Sequence, residues 1–117
     1  MVSWSAGQDR SSQLLKGVLD MCLLAVISEQ PTYGYEMARK LSERGLRLVS
    51  EGSIYPLLSR LQRQGLVEGY LVESPGGPAR KYYRLAADGT VALRTWTDDW
   101  RKLASAVEGV LNGGRDG

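Results

Sequence analysis

Side chains suited to nucleic-acid contacts line one face of a predicted helix in residues 50–66, S-E-G-S-I-Y-P-L-L-S-R-L-Q-R-Q-G-L. Ile54, Leu58 and Leu61 recur at helical spacing, so this stripe is expected in the core. Arginine binds phosphate or guanine edges, serine does so more weakly, and a helix N-terminus favours a phosphate. The predicted DNA-contacting residues of this segment are Ser53, Tyr55, Pro56, Ser59, Arg60 and Arg63. For the two arginines, solubility of an exposed face is the alternative explanation.

Two tyrosines and two cations elsewhere extend this set. Tyr33 and Tyr35 flank Gly34 near the start of another predicted helix. A tyrosine hydroxyl can donate to a backbone phosphate, whereas the alternative is that one tyrosine packs and the other covers surface. Arg80 and Lys81 directly follow the Gly-Pro tip of a predicted hairpin, where a wing would meet a neighbouring groove or the phosphate backbone.

The side chains needed for catalysis or metal binding are scarce. The chain has no histidine and a single cysteine, Cys22, which removes the commonest general base and the commonest metal ligands. Cys22 lies in an apolar run and is interpreted as a small buried side chain. The adjacent acids Asp98 and Asp99 lie in a helical pattern, where neighbours point about 100° apart. The sequence therefore predicts no enzyme, no metal site and no cofactor.

Positive charge is concentrated in the middle of the chain. The net charge is +2, but residues 33–85 hold nine Lys or Arg against five Asp or Glu, and both flanks are slightly acidic. A basic centre is a modest sign of phosphate binding, although a solvated surface explains the same excess.

The length of 117 residues fits one domain. The longest apolar run, residues 21–27, is far shorter than the ~20 residues that span a membrane. The first dozen residues lack the pattern of a signal peptide, so a cytoplasmic protein with a flexible start is expected.

Three helices are expected in the first half. Residues 13–28 are apolar nearly all round, which requires burial against several neighbours, and a partner subunit could be one of them. Thr32 is expected to cap the second helix, and Ser50 or Ser53 the third. Counted from Ser53, Pro56 would take the third helical position, where its missing N–H costs nothing.

A hairpin and a long helix complete the chain. Residues 66–72 and 81–85 are predicted to be antiparallel strands, joined by a tip rich in glycine and proline. The last helix is expected to begin at residues 86–88 and to run for about 25 residues, or roughly 37 Å. Its apolar residues alternate three and four apart, as in a dimerisation seam: Leu93, Trp96, Trp100, Leu103, Val107 and Val110.

The predicted order α-α-α-β-β-α is that of a winged helix-turn-helix, a mainly α (α+β) fold. We expect a flexible segment at residues 1–12, the DNA-binding domain at 13–85, a dimerisation helix at 86–112 and a disordered tail at 113–117.

Several motifs resemble PadR-type transcriptional regulators. In family order they are L-L-K-G at 14–17, Y-G-Y-E at 33–36, G-S-I-Y-P-L-L at 52–58 and R-K-Y-Y at 80–83. The resemblance implies a bacterial homodimeric repressor of the compact type, whose single C-terminal helix pairs with its partner and with the first helix. That pairing would include Leu15 and Leu19. It also implies release from the operator by a small aromatic effector.

One position, Ala86, departs from the family pattern, and two tryptophans extend the resemblance. Ala86 stands where the family usually has a threonine cap, so capping shifts to Asp88 or is lost, at a cost of about 1 kcal/mol. Trp96 and Trp100 would contact an aromatic effector, although filling the interface as bulky apolar residues is the alternative. No role is predicted for Trp4.

The predicted partners are a second copy of the chain and a double-stranded operator. The operator would be an inverted repeat with half-sites about 34–36 Å apart. The alternative is a protein-interaction adaptor that has lost DNA binding, against which the basic centre and the Ser/Tyr/Arg face argue.

Overall fold

The computed structural model describes residues 4–47 and 49–113. In that part of the chain, helices and a three-stranded antiparallel sheet form the predicted winged helix-turn-helix, followed by a long C-terminal helix. The predicted order missed one helix and one strand. In chain order the elements are α1 (Trp4–Lys16), α2 (Leu19–Glu29), β1 (Thr32–Tyr33), α3 (Gly34–Glu43), α4 (Glu51–Arg63), β2 (Val67–Ser74), β3 (Gly77–Leu85) and α5 (Ala87–Leu111).

Two helices, α1 and α2, replace the single helix predicted for residues 13–28. The chain turns at Gly17, whose amide donates to the Leu14 carbonyl at 3.2 Å, and the helices are bent by 55°. Glycine weakens a helix interior, which explains why the break falls there. Residues 4–12, expected to precede the first element, belong to α1. The predicted tail lies outside the described residues from residue 114 onward.

The central helix of the core is α2. Its Leu23, Leu24 and Ile27 are almost fully buried, because α2 packs against α1, α3, α5 and β3. No single helix in the described part is long and apolar enough to cross a bilayer. The other buried apolar residues come mainly from α3, α4 and the sheet: Leu19, Val26, Met37, Leu41, Val49, Ile54, Leu58, Leu61, Val67 and Tyr83.

A short strand, β1, stands where a helix cap was predicted. Thr32 pairs with Tyr83, and Tyr33 pairs with Tyr82, so β3 lies between β1 and β2. The cap of α3 is Tyr33, with extended backbone and no side-chain capping bond. The prediction that Thr32 caps this helix was therefore wrong, because its backbone extends the wing sheet instead.

The recognition helix α4 is capped by Ser50, one of the two predicted serines. The Ser50 hydroxyl accepts from the Ser53 amide at 3.2 Å. Pro56 is consequently the sixth helical residue rather than the third, and its missing N–H leaves the Gly52 carbonyl without its intrahelical donor.

The wing strands are longer than predicted, reaching Ser74 and Gly77. These two residues pair across a turn at residues 75–76, where Gly76 has φ +73°. A proline followed by a glycine with positive φ suits a tight turn, so the predicted tip of eight residues shrinks to two.

The start of α5 is hydrogen-bonded to the segment that follows α4. The amide of Ala86, its cap residue, donates to the Leu66 carbonyl at 3.0 Å, and no side chain caps the helix. Capping is therefore lost rather than shifted to Asp88. A Cβ on Gly89 would lie 2.0 Å from the Leu66 carbonyl oxygen, so only glycine allows this close contact.

Candidate nucleic-acid interface

Helix α4 presents the polar face that its sequence predicted. Ile54, Leu58 and Leu61 are fully buried beneath it. The predicted contact residues on the helix are all exposed, namely Ser53, Tyr55, Pro56, Ser59, Arg60 and Arg63. They occupy more than one flank of α4: Tyr55 lines one cleft, Ser53 and Arg60 line another, and the other three line neither.

The first cleft lies between the N-termini of α3 and α4 and the wing. It has a volume of about 480 Å³ and brings together five of the predicted residues, which come from β1, α3, α4 and β3. Its lining includes Tyr33, Tyr35, Tyr55, Arg80 and Lys81. The sequence-predicted tyrosines and wing cations therefore belong to one surface, which we call the aromatic cleft.

Arg80 and two tyrosines of the aromatic cleft are held in place by contacts with one another. The Arg80 guanidinium donates to the Tyr33 hydroxyl at 3.1 Å and lies 4.9 Å from the centre of its ring. The rings of Tyr33 and Tyr35 stack at 6.5 Å between centres. Guanidinium groups favour this position over an aromatic ring, and among the described residues Arg80 makes no other side-chain hydrogen bond. The wing cation is thus held towards the start of α3.

Gly34 allows the two helices of the cleft to approach. A Cβ at this position would lie 2.8 Å from the ring of Tyr55. The glycine between Tyr33 and Tyr35 is therefore a packing requirement, since any side chain would displace the tyrosine of the recognition helix.

Sequence reasoning missed the acidic member of the cleft, Glu51. The Tyr55 hydroxyl donates to the Glu51 carboxylate at 2.6 Å, and this bond raises the pKa of Tyr55 to about 12. Tyr55 therefore keeps its proton at neutral pH. The i, i+4 spacing of the two residues on one helix was the available signal. The carboxylate makes the part of the cleft next to it unfavourable for a phosphate.

Arg60 lies on the opposite flank of α4 from the tyrosines. Its guanidinium is 3.6 Å from a carboxylate oxygen of Asp20 in α2. With Ser53, it lines a second cleft, of about 430 Å³, between α4 and α1. The structure thus separates Arg60 and Ser53 from the aromatic cleft.

One face of α5 is apolar and largely uncovered by the chain itself. Trp100 is 45% exposed, and Val110 79%. Leu103 and Val107 are exposed beside them, whereas Leu93 and Trp96 are half-buried against the core. The predicted seam is therefore continuous, with its first turn packed on the core and its remaining turns uncovered.

The apolar residues of the first two helices differ in exposure. Leu19, predicted at the dimer interface, is 5% exposed and belongs to the hydrophobic core of the chain. Leu15 packs partly against the core. Leu14, which was not predicted at the interface, is exposed, and it lines a cleft together with Trp100. The helix break at Gly17 turns the apolar faces of α1 and α2 in different directions.

Trp96 and Trp100, the two predicted effector contacts, line a third cleft with a volume of about 550 Å³. It lies between the first two helices and α5, and its apolar lining comprises Leu14, Val18, Met21, Trp96, Trp100 and Leu103. Asp20 and Asp99 add carboxylates at its rim.

The described residues contain no group of His, Cys, Asp or Glu side chains that could hold a metal ion. Burial, followed by the nearby Asp20 carboxylate, raises the pKa of the half-buried Cys22, which stays a thiol at neutral pH.

Comparison with known proteins identifies relatives over most of the chain. Residues 23–95 match the Transcriptional regulator PadR-like family. A transcriptional regulator of Mycobacterium tuberculosis is 36% identical over 88 residues, which cover 74% of this chain and 76% of the relative. A PadR-like transcriptional regulator from Bacillus cereus is 45% identical, with a TM-score of 0.76 and coverage of 85% of this chain and 96% of the other. A PadR family regulator from Eggerthella lenta is 30% identical, with a TM-score of 0.79 and coverage of 93% and 97%.

Proposed function

Because the chain belongs to the PadR-like family of transcriptional regulators, we propose that it is a homodimeric repressor that binds a specific DNA operator. It is a regulator and not an enzyme. The observation that carries the proposal is the aromatic cleft, which joins the wing cations to the exposed face of α4.

The face of α4 suits the major groove. Its exposed Ser59 and Arg63 lie between the two clefts and are free to reach base edges, while Tyr55 stands on the flank nearest the wing. The wing residues Arg80 and Lys81, which line the aromatic cleft, are expected on the phosphate backbone. Phosphate contacts fix the position of the helix, and the base contacts supply the sequence preference.

Dimerisation through α5 is supported by its uncovered apolar seam. Exposed large apolar residues in a contiguous row are unusual on a monomer and mark an interaction surface. Trp100, Leu103, Val107 and Val110 form such a row along the second half of α5. A second copy presenting the same row covers it by two-fold symmetry, and this pairing sets the separation of the two α4 helices.

A small aromatic effector is proposed to bind in the cleft of Trp96 and Trp100. The cleft volume of about 550 Å³ lies within the range of ligand sites, and its lining is mainly apolar. Since the cleft lies on the face of α5 that would meet a partner, a bound ring would change the angle between the subunits and so release the operator. The alternative, that the tryptophans serve only to fill the interface, predicts that aromatic compounds leave DNA binding unchanged.

A gel-shift titration tests the proposed function. The probe is the promoter duplex immediately upstream of the protein's own gene, with micromolar dimer in about 50 mM salt, where phosphate contacts are strong. We expect a retarded band that an unrelated duplex competes away only in large excess. Absence of the band would favour the adaptor function instead. The variant Tyr33→Phe with Arg80→Gln should weaken the band without changing the size of the protein in solution.

A further inference from the structure

The second cleft lies on the flank of α4 that faces away from the wing. It has a volume of about 430 Å³ and is formed by α1, α2, α4 and the segment before α4. Its floor is apolar and includes the side chains of Leu19 and Leu57. Its polar lining comprises Ser12, Lys16, Ser53 and Arg60.

Two cations of this cleft are available to an anion. Lys16, the last residue of α1, is exposed, and no carboxylate among the described side chains lies within 4.0 Å of its amine. The Arg60 guanidinium lies 3.6 Å from a carboxylate oxygen of Asp20, which is too long for a good hydrogen bond. Ser53 adds a hydroxyl in the first turn of α4, where the helix dipole also favours negative charge.

The position of the cleft identifies the anion. Ser53 and Arg60 border the exposed face of α4 that carries Pro56 and Arg63. A duplex docked on that face must run one of its backbones along each flank of the helix, with one near the wing and the other beside α1. The apolar floor offers contact to a deoxyribose, and the cations and hydroxyls offer contacts to its phosphate.

We propose that this cleft binds a backbone phosphate of the DNA duplex, with Lys16 of α1 as its principal ligand and Arg60 as its second. The first helix then contacts DNA directly, in addition to any contact with a partner subunit. This inference rests on the proposed docking of DNA on α4. On binding, Arg60 exchanges its long contact with Asp20 for the phosphate.

The salt dependence of duplex binding by Lys16→Gln tests the proposal. Fluorescence anisotropy with a random-sequence duplex is suitable, since a phosphate contact carries no sequence information. A dimer that loses one phosphate contact in each subunit should show a slope of log K against log salt that is less negative by about 1.8. Between 50 and 200 mM salt, the ratio of wild-type to variant affinity should then change by about twelvefold. The matched control is Lys102→Gln on α5, which should leave the slope unchanged.

The proposed function and the proposed phosphate site can be refuted independently of each other. If wild type does not bind duplex at low salt, the proposed function falls. If wild type binds and Lys16→Gln retains its slope while remaining folded and dimeric, only the phosphate cleft is refuted. Titration with inorganic phosphate should give no saturable binding below about 1 mM. Tighter phosphate binding that Lys16→Gln abolishes, while wild type and variant show equal salt slopes for duplex binding, would assign the cleft to a free phosphate compound.

A second variant gives an effect of opposite sign. Asp20→Asn removes the charge that competes for Arg60 in each subunit and should tighten duplex binding by about two- to thirtyfold, the range expected for two exposed ion pairs. Weaker or unchanged binding would contradict the exchange.

Discussion

Replacing Trp100 by aspartate should separate the proposed dimer. Trp100 is 45% exposed in the single chain, which for a side chain of roughly 250 Å² leaves about 110 Å² of surface for a partner to cover. At about 25 cal/mol per Å², this burial contributes about 2.8 kcal/mol per subunit, or between 5 and 6 kcal/mol per dimer. Since about 1.4 kcal/mol corresponds to a factor of ten, the dimer Kd should rise by about four orders of magnitude.

Sedimentation velocity over a concentration series measures this change. Circular dichroism establishes that the variant is folded, and Val91→Asp is the matched control, because Val91 is exposed on α5 but lies away from the seam. We expect Val91→Asp to sediment like wild type. A folded Trp100→Asp protein with the wild-type Kd, or a wild type that is monomeric throughout, would refute the assignment of this seam to a dimer.

Two predictions concern single contacts within the chain. Gly89→Ala should lower the free energy of unfolding by about 3 kcal/mol and the melting temperature by roughly 10 °C, because the new Cβ meets the Leu66 carbonyl at 2.0 Å. In thermal melts Gly109→Ala, where no atom lies within 4 Å, should not destabilise; equal effects would contradict the close contact. The raised pKa of Tyr55 means that its bond to Glu51 stabilises the fold below about pH 10 and is lost as pH rises towards 12. Denaturant melts of wild type should therefore show a loss of stability over this interval that Tyr55→Phe lacks; identical pH profiles would argue against the bond.

The sequence was sufficient to predict the elements whose signal is local and periodic. The buried stripe of Ile54, Leu58 and Leu61 follows from side-chain spacing alone, and so does the seam of α5. The winged helix-turn-helix fold is confirmed, as is the family.

The predictions that were wrong depend on contacts between elements that are distant in sequence. The strand at Thr32 exists because β3 pairs with it, and a two-residue strand has no pattern of its own. The direction of α1 depends on the bend at Gly17, so Leu19 faces the core while Leu14 faces outward.

The candidate site shows the same limit. Sequence spacing put Tyr55 and Arg60 on one exposed helix face but did not divide that face into two clefts. The division depends on the wing, which approaches one flank of α4, and on α1, which approaches the other. The DNA-contact and interface residues remain predictions, since their roles depend on partners.

The separation of the two α4 helices tests the central claim most directly. A spin label on the exposed Gln64, which ends α4 and is not among the predicted DNA contacts, is placed by Gln64→Cys in a Cys22→Ser background. It gives one distance in a dimer bound to its promoter duplex. We predict a single distribution centred near 34–36 Å, one turn of DNA. The absence of any distance between labels, or a distance unrelated to the helical repeat, would contradict a dimer that presents its α4 helices to successive major grooves.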